Sequence, residues 1–100
     1  MNPKIRVSKA EIEDFCRRYH IRRLAFFGSV LRDDFGPESD VDVLVEFEEG
    51  ARVGLIRLAG IELELGKLLG HEVQIHTVKG LNPQFRDEVL RLAEVQYEPA

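Results

Sequence analysis

A compact α/β or α+β layer of order αβαβαβα is the fold this sequence predicts, and three observations predict it. Apolar residues recur every three to four positions in three long stretches, the period of an amphipathic helix. Three shorter runs are rich in Val, Ile, Leu and Phe and are bounded by Gly, Pro or acidic residues, as strands are. The two patterns alternate along a chain of 100 residues with 44% apolar and 32% charged content, which fits one small domain with a modest core.

Ser8 followed by Glu11 forms a capping box. Behind it Ile12, Phe15, Cys16 and Tyr19 make one buried stripe, on a helix ending near His20. Ile21 to Phe27 reads as a strand that stops at Gly28-Ser29, and Val30-Leu31-Arg32 as the first turn of a short helix. Gly36-Pro37 returns the chain. Asp40 to Phe47 is the clearest strand, with Val41, Val43, Val45 and Phe47 facing the core and Asp40, Asp42, Leu44 and Glu46 on the other side.

A helix from about Val53 to Leu69 follows, burying Leu58, Ile61, Leu65 and Leu68 and stopped by Gly70. Gly60 and Gly66 each weaken it by about 1 kcal/mol relative to Ala, which implies close packing there. Glu72 to Val78 reads as a third strand with Glu72, Gln74 and His76 on one face. Asn82-Pro83 caps a last helix running to about Gln96 and burying Phe85, Val89, Leu92 and Ala93.

Composition narrows the function. No apolar stretch is long enough to span a bilayer, the N-terminus lacks the apolar centre of a signal peptide, and no membrane partner is expected. A lone Cys16 fits a reducing cytoplasm, and its place in an apolar helical stripe makes it a core residue. A net charge of −4 argues against a general nucleic-acid binder. That charge is uneven. Arg17, Arg18, Arg22 and Arg23 form a basic run, read equally as a solvated face or a binding patch, whereas residues 33 to 49 hold eight acids and no base. His20, His71 and His76 lack metal-ligand spacing, and Tyr97 reads as an exposed contact.

The chemistry concentrates between Gly28 and Asp42. Asp40 and Asp42, two apart on a strand, point the same way, and like charges held side by side favour a cation between them. Gly28-Ser29 offers a bend free of Cβ clash, a hydroxyl, and the N–H groups of a following helix, which attract phosphate. Phosphate on one side and a divalent metal on the other suggest a nucleoside triphosphate site.

Gly28-Ser29, ten residues, then Asp40-Val41-Asp42 resembles the signature of the DNA-polymerase-β-like nucleotidyltransferases. The wider run from Phe27 to Phe47 is similar to their minimal nucleotidyltransferase branch, small proteins often encoded beside a HEPN-domain partner. The resemblance implies a polymerase-β-like fold over residues 1–100, with a small mixed sheet of about three or more strands and helices on one face. It implies that Gly28, Ser29 and Arg32 hold the nucleotide and that Asp40 and Asp42 hold Mg²⁺. The reaction it implies is transfer of AMP from ATP to a hydroxyl of the HEPN toxin, the chain serving as antitoxin in a homo- or hetero-oligomer.

One position departs from the pattern. Gln74 falls where the family carries a third acidic residue, and an amide cannot act as a base. Glu72 or His76 shares its face about 7 Å away along the strand and would need a shift to replace it. The alternative is a weakened nucleotide-binding antitoxin that neutralises its partner by contact alone.

Overall fold

The computed structural model describes residues 5, 7–31, 35, 36 and 38–98. Helix α1 spans Lys9–Arg18 and opens with the expected reciprocal cap: Glu11 N–H donates to the Ser8 hydroxyl and Ser8 N–H donates to the Glu11 carboxylate. Its stripe of Ile12, Phe15 and Cys16 is fully buried. His20, with a φ of 57°, turns the chain directly into strand β1, Ile21–Phe27, whose limits match the sequence expectation. A single 3-10 turn, Gly28–Leu31, follows, and β2 occupies Val41–Phe47.

Helix α2 runs Leu55–Leu69 and ends on left-handed Gly70. Strand β3 is Val73–His76, shorter than expected because Thr77 to Gly80 leave it as a turn. Helix α3 is Pro83–Leu92, capped by the Asn82 side chain as expected. It ends four residues earlier than the periodicity implied. Ala93 adopts an extended backbone, and Glu94–Tyr97 form a fourth strand, β4, where the apolar period predicts helix as far as Gln96.

The sheet order is β3-β2-β1-β4, with β1 antiparallel to both β2 and β4, and β2 parallel to β3. This is the mixed α/β (α+β) architecture the sequence implied. The face carrying Leu24, Phe26, Val41, Val43 and Val45 packs with Ile12, Phe15 and Cys16 of α1 and Ile61, Leu65 and Leu69 of α2. On the other face a smaller cluster joins Ala25 and Leu44 to Leu81, with Val89 and Ala93 against it.

Helix α3 departs most from expectation: none of its residues is buried, and Phe85 and Leu92 are exposed. Tyr97 likewise is a half-buried strand residue packed against the main core rather than an exposed contact. Within α2, Gly66 is explained by packing, since a Cβ there would lie 2.8 Å from the His71 carbonyl oxygen. Gly60 has nothing within 4 Å, and no contact accounts for it.

Candidate active site

Strand β1 ends where β2 begins, so pairing of the two antiparallel strands carries the Gly28 turn to the head of β2. Phe27 lies opposite Asp42, and Gly28 takes a φ of 75°, open to glycine with little strain. A Cβ on Gly28 would fall 2.6 Å from Asp42 Oδ2. The bend and the carboxylate are therefore in direct apposition. Ser29 follows in the same turn, and Arg32 lies outside the described residues.

The parallel register of β2 and β3 places Gln74 directly opposite Asp42 and His76 opposite Leu44. The alternation expected for β3 thus brings Gln74 beside the acid, at the place aligned with the family's third acidic residue. His76 crosses the diagonal: its Nε2 lies 3.3 Å from Asp42 Oδ1. Because an ionised carboxylate only accepts, the ring nitrogen donates. Phe27 presses on the same imidazole, the ring centroids 5.1 Å apart at 69°. The alternation of β3 puts His76 on this face, but its contact with Asp42 and the packing of Phe27 on its ring have no local sequence signal.

Asp40 is exposed and sits one residue ahead of β2. It lines a cleft of about 490 Å³ with Ser39, Gly66, Lys67, His71 and Glu72. His71 steadies this approach through Nδ1 at 3.1 Å from the Ser39 carbonyl and through its ring against Phe35. A groove of about 510 Å³ at the far end of β2, beside Phe47, Val53 and Lys79, holds none of the sequence-predicted site residues.

Mg²⁺ takes oxygen ligands, commonly one or two carboxylates, with substrate phosphates and waters completing its shell. Asp40 and Asp42 supply that donor chemistry, and the missing Cβ of Gly28 keeps the Asp42 carboxylate accessible from the turn. Among the described residues no group of three His, Cys, Asp or Glu is gathered as a shell.

The basic run resolves into ion pairs: Arg17 with Glu13, Arg18 with Asp14 and Glu64, and Arg22 and Arg23 with Glu46. Such pairs, with the four arginines exposed or half-buried at the surface, fit a solvated face. Among the described residues no helix is long and apolar enough to cross a membrane.

Comparison with known proteins agrees with this geometry. The family described as "Nucleotidyltransferase domain" matches residues 9–94. "Protein adenylyltransferase MntA" of Thermococcus cleftensis is 34% identical over 88 residues, 88% of this chain and 85% of the relative. A solved structure described as "Structure of putative minimal nucleotidyltransferase" is 40% identical, covers 85% of each chain and superposes with a TM-score of 0.69. A complex described as "Crystal structure of the toxin-antitoxin with AMP-PNP" shares the fold at a TM-score of 0.73 and 15% identity, over 93% of this chain and 75% of that one. The chain belongs to the nucleotidyltransferase domain family, in its minimal branch, and is an enzyme of nucleotidyl transfer.

Proposed function

We propose that this chain transfers AMP from ATP to a hydroxyl of a partner protein, a HEPN-domain toxin that it thereby silences. The observation that carries the reading is the apposition of Gly28 and Asp42 Oδ2, a bend for phosphate set against a carboxylate. MntA of T. cleftensis is named a protein adenylyltransferase, and the AMP-PNP complex is a toxin–antitoxin pair. Both support the acceptor class and the adenine nucleotide. We place the protein in the cytoplasm, where ATP and reduced Cys16 are both at home, as one domain working in an assembly with its partner.

In this reading Gly28 and Ser29 would cradle the triphosphate and Asp40 and Asp42 would hold Mg²⁺, with Arg32 assigned to the phosphate charge by the family resemblance alone. When bound, the ion supplies neutralisation of the phosphates and of the oxygens gaining charge. The acceptor oxygen forms a bond to the α-phosphorus, the bond to the β-phosphate oxygen breaks, and pyrophosphate leaves. The acceptor proton passes to water or to a phosphate oxygen of the substrate, because the amide of Gln74 has no basic site.

The test is transfer of labelled AMP from ATP to the purified partner with Mg²⁺. Asp42→Asn should lower transfer on the order of 10²-fold or more, since it removes a metal ligand. Unchanged transfer would end the reading. A second reading is favoured by one observation, Gln74 opposite Asp42 where an acid would serve as base. Under it the chain neutralises its partner by contact, and Asp42→Asn would leave neutralisation intact.

A further inference from the structure

We infer that His76 is a positioning residue, which fixes the Asp42 carboxylate in the orientation that serves the bound cation. The inference rests on the reading of Asp42 as a cation ligand, and it adds a residue that neither the motif nor the chemistry of two aspartates requires.

Three neighbouring strands each contribute one piece. On the β1 side, the bare Cα of Gly28 faces Asp42 Oδ2. On the β3 side, His76 Nε2 donates to Oδ1 across 3.3 Å. The two oxygens of one carboxylate are thus addressed from opposite flanks. A carboxylate rotates easily about its terminal torsion, so without a donor on Oδ1 its oxygens could exchange places or swing away from the turn. The imidazole is itself held, because Phe27 packs on its ring. Both Asp42 and His76 are half-buried, which leaves Asp42 reachable while limiting competition from water. Hydrogen-bond partners of metal-ligating side chains commonly act this way. Gln74 stands directly opposite Asp42 but is exposed, and the donor to Oδ1 is His76, two residues further along β3.

The experiment measures Mn²⁺ uptake from its electron-paramagnetic-resonance signal, in the presence of AMP-PNP, and so needs no turnover. His76→Phe keeps a ring against Phe27 and removes the donor, whereas His76→Gln keeps an N–H donor of similar reach. We expect His76→Phe to weaken Mn²⁺ binding about 10–100-fold, the usual cost of removing such a partner, and His76→Gln to recover most of it. His76→Phe binding as tightly as the parent overturns the inference, as does His76→Gln binding as weakly as His76→Phe. Loss of folding in His76→Phe, read by circular dichroism, would assign the residue to stability and equally overturn it. A parent that takes up no Mn²⁺ with nucleotide instead refutes the cation reading of Asp42 itself, so the two failures are distinguishable.

Discussion

At Gly28 a φ of 75° coincides with a carboxylate oxygen 2.6 Å from where a side chain would begin. Gly28→Ala therefore meets both a backbone cost of about 1–2 kcal/mol in the left-handed region and a displaced Asp42. A lowered midpoint in urea unfolding together with lost transfer would report both effects. Cys16 presents the opposite case, a reactive group kept inert. Burial, with Glu13 nearby, pushes its thiol up to about 12 from its ordinary 9.0. The unfolded thiol ionises first, so the native state loses stability as pH rises from 9 towards 12, and none of this loss occurs below 9. Thiol-specific reagent at pH 8 should label the unfolded protein and spare the folded one. Tyr19 donates to Glu64, which also binds Arg18, tying α1 to α2. The shared hydrogen bond raises the tyrosine's pKa and lowers the glutamate's. Glu64's contribution is thus present above the ordinary carboxylate range and lost as pH falls through its lowered value.

Among the elements, α2 offers a paired experiment. Gly60→Ala adds a methyl into open space and should stabilise by about 1 kcal/mol. Gly66→Ala drives a Cβ to 2.8 Å from the His71 carbonyl and should destabilise despite the same gain in helix propensity. Thermal unfolding of the two variants should move in opposite directions. Strand β3 lies at the sheet edge, and the Glu62 carboxylate accepts the Ile75 N–H at 2.7 Å, occupying a donor an edge strand would leave open. Glu62→Ala should cost about 1–2 kcal/mol and raise aggregation in light scattering.

The helices and strands that bury one clean face were legible in the residues: Ile12, Phe15 and Cys16 for α1, and Val41, Val43 and Val45 for β2. The end of the chain was not. Val89, Leu92 and Ala93 continue a helical period, yet pairing of residues 94–97 with β1 outweighs it. A four-residue strand carries too little local pattern to announce itself. Arg86 helps set where α3 lies, donating to the Val78 and Leu81 carbonyls in the turn before it.

For the whole molecule, residues 24–26 in the first third of the sequence pair with residues 94–97, about 70 positions later. Deleting residues 93–98 removes β4 and bares β1, so we expect loss of the cooperative unfolding transition, checked by calorimetry. The candidate site shows the same dependence on long-range pairing. Gly28 and Asp42 were legible because their spacing lies within one β1–β2 connection. The His76 contact was hidden because it depends on the register of two parallel strands separated by a helix.

The alternation of β2 has a further result. Its inner row is Val41, Val43 and Val45, and its outer row begins with Asp42. Sliding this strand by one position against β1 would turn the acid into the hydrocarbon interior and the valines onto the face that now carries Asp42 and Glu46, a penalty of several kcal/mol for the unpaired charge alone. The residue proposed to grip the cation is therefore also a guard against misregistered folding. An Asp42→Val chain should populate slipped pairings that the parent never samples.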